Sequence, residues 1–362
     1  MGSGGEIGVI RETHTQRRRY LNMATDGPYD ESTIFETPLL SLDLELDTDV
    51  RVLGKAEWYN LYTAPHGGGS VKSRIAKGML DRAEAEGKLD GETVVIEPTS
   101  GNTGSEVARL ASARGYEVEI VMPDNASGGK IEAVREAGAE IHFVNADLGY
   151  DAVIERCDAL IAEDPDRYFR PNQYENPANP GTHERTTAPE IHDATDGAVT
   201  HFIAGVGTGG TVTGTGRGLH DRDPWIDVIG IEPAEPLHAI DGLKYLRTGE
   251  HYHPPTYDES VLDERRYVET GDAYDRAREL RQRYMDERIA IADTGQHDES
   301  TVRAHVRVQE QLLVGTSSGA ALQVVYDLDR EGNLETGDCV VVMLADRGDK
   351  YADIPLWADY LD

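Results

Sequence analysis

The sequence has little cysteine, little lysine and no long apolar run, and each shortage excludes a class of protein. Cys157 and Cys339 are the two cysteines among 362 residues, too few for a disulfide framework or a four-thiolate metal site. No run of about 18 apolar residues occurs, so no helix is expected to span a membrane. The N-terminal stretch lacks the apolar segment of a signal peptide. These shortages predict a cytoplasmic protein without a bound metal.

Positive charge is scarce as well. Asp and Glu number 67 against 35 Lys and Arg, which gives a formal net charge of −32. Such a charge repels phosphate backbones and acidic membranes, so neither nucleic acid nor a membrane is an expected partner. Only seven of the basic residues are lysines. An acidic, lysine-poor surface suits molar salt, where self-repulsion is screened. A halophilic protein is therefore expected, with an ordinary acidic enzyme as the alternative.

Short apolar runs rich in β-branched residues alternate with helical patterns along most of the chain. The predicted strands are 93–96, 119–122, 140–144, 200–205, 227–231 and 339–344, and the predicted helices include 105–114, 131–137 and 151–162. This alternation predicts an α/β protein with parallel sheets covered on both faces.

Two segments interrupt the alternation. Residues 171–180 contain three prolines and three asparagines, which break both periodicities and predict a change of domain. Residues 286–309 are polar and have the character of an insertion, for which a dimer contact or a salt-adapted surface is favoured over a lid. A metal site at its His297 and His305 is disfavoured.

A glycine-rich turn follows the predicted strand 200–205. Residues 205–210 read GVGTGG and match GxGxxG, and Glu232 follows the next strand, as in a dinucleotide fingerprint. The match is weak, because any glycine-rich turn that holds a phosphate at a helix N-terminus has a similar sequence. The firm inference from the string is a phosphate site.

Lys72 follows the glycine run 67–69 at the start of a helical segment. The helix N-terminus disfavours an ammonium, so the pKa of Lys72 is expected to fall toward values suited to a nucleophile or base. The alternative is a solvated loop lysine, which the scarcity of lysine makes less attractive.

Two further turns are rich in hydroxyl groups. Residues 97–104 read EPTSGNTG between a strand and a helix, and their hydroxyl, amide and N–H donors could converge on a carboxylate. Residues 315–319 read GTSSG before another helix. Taken alone, either string is also compatible with a simple helix cap.

The order of these motifs resembles that of cysteine synthases. The motifs are SVKSR around Lys72, EPTSGNTG, NQYENPANP at 172–180 with HERTTAPEI at 183–191, GVGTGGTVTG at 205–214 and GTSSGAAL at 315–322. The resemblance extends from about Thr37 to Tyr351 and implies a pyridoxal-phosphate (PLP) enzyme of fold type II, related to cystathionine β-synthase. It replaces the dinucleotide interpretation, because a nicotinamide enzyme has no use for the other four motifs.

The resemblance also implies an architecture. The fold class is α/β, tryptophan synthase β-like, with two three-layer α/β domains and the active site in the cleft between them. The expected larger, phosphate-binding domain comprises residues 1–65 and 176–362, including the insertion at about 286–309. The expected smaller, substrate-carboxylate-binding domain comprises residues 66–175. A homodimer is implied by the family.

Residue roles follow from the same resemblance. Lys72 is expected to carry the cofactor and act as the catalytic base, Asn102 to bind its 3′ oxygen, and Ser317 to face its pyridine nitrogen. The expected phosphate cradle is Gly207, Thr208, Gly209, Gly210 and Thr211. The expected substrate-carboxylate ligands are Thr99, Ser100, Thr103 and Gln173.

The activity implied is β-replacement, in which an O-activated L-serine and sulfide give L-cysteine through an aminoacrylate intermediate. O-acetylserine is the favoured donor. The alternatives are an O-phosphoserine sulfhydrylase, a cystathionine β-synthase that uses serine and homocysteine, and, outside catalysis, an inert PLP-fold binding protein. Threonine dehydratases and threonine synthases are disfavoured, because TSGNTG is the sulfur-enzyme version of the asparagine loop.

Some residues depart from the family pattern. Ser73 stands where the commoner triplet Lys-Asp-Arg has an acidic residue, and His66 is unusual near the site. Asp241 stands near the position of an arginine that recognises phosphoserine in some relatives, with Lys244 and Arg247 close by in sequence. Asp241 favours O-acetylserine, whereas Lys244 keeps O-phosphoserine open.

Overall fold

The structure is a computed structural model that describes residues 31, 34–60, 69–99, 101–247, 253–284, 290–291, 312–351, 354 and 356–357. Its strands are β1 (Leu39–Leu42), β2 (Arg51–Ala56), β3 (Val94–Pro98), β4 (Glu117–Pro123), β5 (Glu140–Val144), β6 (Tyr168–Phe169), β7 (His201–Gly205), β8 (Asp227–Pro233), β9 (Glu264–Val268), β10 (Ala290–Ile291) and β11 (Cys339–Leu344). Within these residues the strands form two sheets.

The larger sheet has seven strands in the order β10-β1-β2-β11-β7-β8-β9. Strand β11 lies in its middle, pairs in parallel with β2 and β7, and is buried along its whole length. A run such as CVVVML suits this position, because a strand covered on both faces needs no polar alternation. Strands β1 and β10 add an antiparallel edge.

The smaller sheet is parallel throughout, in the order β5-β4-β3-β6. Its core contains Val95, Ile120 and Met122 from the sheet and Val107 and Leu110 from a covering helix. The chain leaves this sheet after β6, and its next strand, β7, belongs to the larger sheet. The Pro- and Asn-rich segment 171–180 lies in this passage.

Helices cover both sheets. They are Val71–Ala85, Asn102–Ala113, Gly128–Glu136, Tyr150–Glu163, Ala178–Arg185, Thr187–Ala194, Gly210–His220, Thr270–Arg283 and Thr316–Glu331. Single 3-10 turns occur at Glu57–Tyr59, Ala146–Leu148, Glu259–Val261 and Gly348–Tyr351. Among the described residues, none of the helices has the length and apolar character needed to cross a bilayer.

The predicted parallel α/β organisation is confirmed, with strand ends that differ by a few residues. The sequence did not reveal β2, whose run RVLGKA contains a lysine at a fully buried position. Lys55 is tolerated there because its ammonium pairs with Glu190 at 2.7 Å, a partner 135 positions away. Of the predicted insertion 286–309, only β10 lies within the described residues.

Strand ends bring the expected motifs together. The turn that starts at Thr99 follows β3, the glycine turn follows β7, and Asp346 comes two residues after β11. The backbone N–H of Val71 donates to the Ala345 carbonyl at 2.8 Å, which joins the Lys72 helix to the end of β11. Carboxyl ends of parallel strands are the usual location of ligand sites in open α/β sheets.

Candidate active site

A single cavity collects residues from both sheets. Among the predicted site residues, those that line it are Lys72, Thr99, Asn102, Thr103, Gln173, Gly207, Thr208, Gly209, Thr211 and Ser317. Gly210 is buried at the first position of its helix and does not line the cavity. Ser100 lies outside the described residues, as do His66, His297 and His305.

Lys72 is the second residue of the helix Val71–Ala85. The cap is reciprocal: the Ser70 hydroxyl accepts from the backbone N–H of Lys72 at 3.2 Å, and the Ser73 hydroxyl accepts from that of Ser70 at 3.0 Å. Such a capping box fixes the first turn and therefore the direction of the lysine side chain. Burial lowers the pKa of Lys72, while Asp346 and Asp241 oppose the shift. The pKa of Lys72 is thus shifted in the direction predicted from the sequence, and desolvation is the largest cause of the shift.

The glycine turn after β7 leaves bare backbone beside the cavity. A Cβ on Gly207 would collide with the Gly242 carbonyl oxygen, and Gly209, at φ +78°, would collide with Tyr257. Asn179 donates from Nδ2 to the Thr208 hydroxyl at 3.0 Å. Backbone N–H groups at the start of a helix suit an anion such as a phosphate.

The Thr211 hydroxyl at the same turn lies 3.2 Å from His183 Nε2. Burial lowers the pKa of His183 well below its ordinary value, so this imidazole is neutral at pH 7. The contact therefore orients the Thr211 hydroxyl without adding a charge to the glycine turn.

The turn after β3 forms a second set of donors. Thr103 donates to the Gln173 side-chain oxygen at 2.6 Å, and the Thr99 hydroxyl accepts from the Gly101 N–H at 3.2 Å. Buried Glu97 accepts from the backbone of Gln173 at 3.2 Å and thereby fixes this residue beside Thr103. The sequence motif contained Glu97 without showing this anchoring role.

Asn102 is the first residue of one helix, Ser317 lies in the first turn of another, and both line the cavity. Asn102 donates from Nδ2 to Asp346 at 2.6 Å, and its Oδ1 accepts from Lys350 at 3.2 Å. Ser317 is the second residue of the helix Thr316–Glu331 and is one of the residues that line the cavity.

Several lining residues were missed from the sequence. They are Tyr150, Tyr174, Asp346 and Tyr351, whereas Asp241, which the sequence placed near the site, lines the cavity as well. Asp346 is buried, burial raises its pKa, and Tyr351 donates to its Oδ2 at 2.6 Å. Its position just beyond the central strand was a usable signal, because strand ends of this kind face ligands.

Asp241 joins the two sides of the cavity. Its carboxylate pairs with Lys130 of the helix Gly128–Glu136 at 2.5 Å. The Lys130 ammonium also lies 5.4 Å from the centre of the Tyr351 ring, a cation–π distance. Lys244 does not line the cavity; its ammonium lies 4.6 Å from the centre of the Tyr174 ring and 5.8 Å from that of the Tyr150 ring, two residues that do.

A fully buried ion-pair cluster lies beneath the Lys72 helix. Arg74 binds Glu57 through Nε at 2.6 Å and Glu190 through NH1 and NH2 at 2.6 Å each. Lys55 completes the cluster at 2.7 Å from Glu190. The two carboxylates and two cations balance one another, which is the condition for burying charges.

Away from the cavity, Glu119, Glu140 and His142 have side-chain atoms within 4.8 Å of one another. Glu119 already accepts from Arg167 at 3.0 Å and from His142 at 2.8 Å. An arginine on the carboxylate occupies a ligand position, so this group gives no reason to assign a metal.

The cavity fits PLP on chemical grounds. PLP has a phosphate, a 3′ oxygen, a ring nitrogen and a carbon that bonds to an amine. The cavity offers a bare glycine turn at a helix N-terminus, an amide, a hydroxyl and an amine with a lowered pKa. A side chain at Gly207 or Gly209 would collide with Gly242 or Tyr257, so the conformation of this turn depends on glycine.

Comparison with known proteins supports the same cofactor. The family model described as "Pyridoxal-phosphate dependent enzyme" matches residues 31–346. A cysteine synthase of Aquifex aeolicus is 36% identical over 345 residues, which cover 92% of this chain and 95% of that protein. A cysteine synthase of Staphylococcus aureus is 33% identical, covering 91% of this chain and 98% of that protein.

Solved structures show the same fold. An O-ureido-L-serine synthase superposes with a TM-score of 0.76 at 28% identity, covering 93% of this chain and 97% of that one. A hydrogen sulfide-producing enzyme of Fusobacterium nucleatum gives 0.73 at 32% identity, covering 88% and 98%. A cysteine synthase of Entamoeba histolytica gives 0.74 at 27% identity, covering 99% and 94%.

Fold and cavity therefore define a fold type II enzyme that uses PLP as its cofactor. The chain belongs to the pyridoxal-phosphate-dependent enzyme family, and within that family its sequence relatives are cysteine synthases.

Proposed function

We propose that this enzyme forms L-cysteine from O-acetyl-L-serine and sulfide. One observation carries the proposal: an amine of lowered pKa, a glycine cradle for a phosphate and a hydroxyl- and amide-rich turn for a carboxylate line the same cavity. The family of the chain and its cysteine synthase relatives support this activity.

PLP, when bound, withdraws electrons from the α-carbon of an attached amino acid and so permits loss of a group from the β-carbon. Lys72 Nζ would hold the cofactor and, once displaced by substrate, take and return the α-proton. A lowered pKa supports this role, because a base must be neutral to accept a proton near pH 7. Asn102 would hold the 3′ oxygen of the cofactor, and Ser317 would face its ring nitrogen.

The turn after β3 would hold the α-carboxylate of the substrate. Thr99, Thr103 and Gln173 lie together there, and the helix that begins at Asn102 adds backbone donors and a favourable dipole. Ser100 belongs to the same proposal through the sequence motif. Binding the carboxylate at this turn would bring the α-carbon toward Lys72.

Charge around the cavity favours a donor whose β-substituent is uncharged while it is attached to the substrate. Two carboxylates, Asp241 and Asp346, line it, and a phosphate on the substrate would face both. The cation that kept O-phosphoserine open, Lys244, does not line the cavity, and its ammonium lies against the rings of Tyr150 and Tyr174. O-acetylserine meets no such repulsion, so the acetyl ester is the proposed donor.

A substrate panel in high KCl tests the proposal. Purified enzyme would be incubated with each of O-acetylserine, O-phosphoserine and serine, and with sulfide or homocysteine, and products identified by mass. Cysteine formed fastest from O-acetylserine and sulfide supports the proposal. Faster cysteine formation from O-phosphoserine, or cystathionine from serine and homocysteine, would replace it, and no turnover with any pair would leave an inert binding protein.

Further properties are proposed on composition and family alone. The charge of −32 supports adaptation to high salt, and a fold that is most stable in dilute buffer would refute it. We also propose a cytoplasmic homodimer whose smaller domain comprises residues 66–175. Sedimentation tests the homodimer, cell fractionation tests the cytoplasmic location, and limited proteolysis tests the domain boundaries.

A further inference from the structure

Lys350 is one of seven lysines and lies in the 3-10 turn Gly348–Tyr351 after the central strand. Its ammonium donates to the Gly69 carbonyl and to Asn102 Oδ1, both at 3.2 Å. It also lies 3.6 Å from Glu106 Oε1. An ammonium has three N–H donors; two of them make these hydrogen bonds, and the Glu106 carboxylate adds an ion pair at longer distance.

The three partners belong to segments that the proposed mechanism needs. Gly69 is in the loop that leads to Lys72, Asn102 begins the helix beside the substrate turn, and Glu106 lies one turn further along that helix. Lys350 therefore joins the end of the larger sheet to both walls of the cavity.

Glu106 makes the lysine difficult to remove. It is fully buried, and its Oε2 accepts from the Ser73 hydroxyl at 2.8 Å. Within the described residues its Oε1 has no hydrogen bond, and the nearest cations are Lys350 at 3.6 Å and Arg109 at 3.9 Å. A buried carboxylate needs a counter-charge, so Glu106 holds the Lys350 ammonium in place.

The contacts also fix which way the Asn102 amide faces. Its oxygen accepts from the Lys350 ammonium, and its nitrogen donates to the Asp346 carboxylate. If the amide were rotated by 180°, its N–H groups would face the Lys350 ammonium and its oxygen would face the Asp346 carboxylate. Both contacts would be repulsive. The second N–H of Nδ2 therefore keeps one direction.

We propose that Lys350, held by Glu106, is a positioning residue that orients the Asn102 amide toward the 3′ oxygen of the cofactor. The proposal rests on the proposed role of Asn102. It assigns a purpose to Ser73 as well, because Ser73 helps to hold the carboxylate of Glu106 within reach of Lys350.

The test compares the holoenzymes of the wild type and Lys350→Met by the absorption of the bound cofactor across pH and by cofactor retention on dialysis. We expect a shifted pH midpoint of the absorption band and an approximately tenfold weaker cofactor affinity, the size of one lost hydrogen bond to a charged group. Lys350→Arg should restore much of the wild-type behaviour, since it keeps the charge and several donors. Lys88→Met, which removes the same charge from an exposed pair, is the matched control and should change neither measurement.

A double-mutant cycle separates positioning from general support. In the Asn102→Ala background, Lys350→Met should cause no further spectral shift, because the amide through which it acts is absent. Glu106→Gln, which keeps the side-chain volume, should shift the band in the same direction by less, and it replaces Lys350→Met if that variant does not fold.

The outcomes are distinguishable. If Lys350→Met and Glu106→Gln both fold and leave the absorption band of the cofactor unchanged, the role of Lys350 is overturned. The same holds if Lys350→Met shifts the band as much in the Asn102→Ala background as in the wild type. A wild-type protein that binds no PLP would instead overturn the proposed function.

Discussion

Lys72 and Arg74 lie two residues apart on one helix, in buried surroundings, and their environments differ. Burial lowers the pKa of Lys72, and the nearby carboxylates do not reverse the shift. The pKa of Arg74 is raised despite its burial, because Glu190 and Glu57 bind it directly. Burial alone therefore does not decide the direction of the pKa shift of a cation; at Arg74, direct contacts with two carboxylates outweigh it.

The difference divides the helix into a reactive side and a structural side. On the Arg74 side, every charge has a partner at hydrogen-bond distance, which favours one fixed geometry. On the Lys72 side, an amine with a lowered pKa faces a cavity. An inert side so close to the amine would keep its position constant while the cofactor and substrate exchange.

Lys72→Ala should have the largest effect, because it removes the proposed cofactor attachment and base together. Loss of a positioned base alone costs about 10²–10⁴-fold in turnover. We expect a loss of at least this size and no covalently held cofactor, measured by cysteine formation and by the absorption of the dialysed protein. A variant that keeps both would contradict the assignment of Lys72; Lys77→Ala, from an exposed pair on the same helix, is the control.

Arg74→Met should have the largest effect on stability. It leaves Glu57 and Glu190 buried with Lys55 as the remaining cation of the cluster, and removing one partner of a buried pair costs about 3–5 kcal/mol. Urea denaturation measures the change in the free energy of unfolding. Arg82→Met removes an exposed i,i+4 pair from the same helix and should cost less than about 1 kcal/mol. Equal losses in the two variants would show that the buried cluster has no special role.

The cost of Arg74→Met should depend on pH. Arg74 and Lys55 hold the pKa of Glu190 below its ordinary value, so its ion pairs stabilise the fold above the unfolded-state pKa of about 4.3. This contribution is lost as pH falls below that value toward the folded-state pKa. The stability difference between wild type and Arg74→Met should therefore be smaller near pH 3.5 than at pH 7. A difference independent of pH would mean that packing, not charge, accounts for the cluster.

Lys72→Met should have the smallest effect on the stability of the cofactor-free protein. The substitution removes an amine whose burial disfavours its charged form, so the fold no longer bears the cost of desolvating that group. We expect a change within about 1 kcal/mol or a slight gain by urea denaturation. A loss as large as that of Arg74→Met would remove the distinction between the two sides of the helix.

Sequence patterns predicted some of these features and missed others for physical reasons. The apolar run of β11 needs no distant partner to be recognised, so its limits at Cys339–Leu344 are the predicted ones. Strand β2 was missed because its buried Lys55 depends on Glu190. Lys350 was missed although the scarcity of lysine, which drew attention to Lys72, applied to it equally.

The sequence by itself determined the α/β organisation and the main site motifs, because apolar periodicity and glycine- or hydroxyl-rich turns are local properties; the cofactor followed from the resemblance of those motifs to cysteine synthases. Tertiary structure decided which charges face one another. It brought Asp346 and Lys350 to the Asn102 amide, Lys130 to Asp241 and Glu190 to Arg74. Coulomb energies and desolvation depend on distances through space, and no pattern of neighbours along the chain contains those distances.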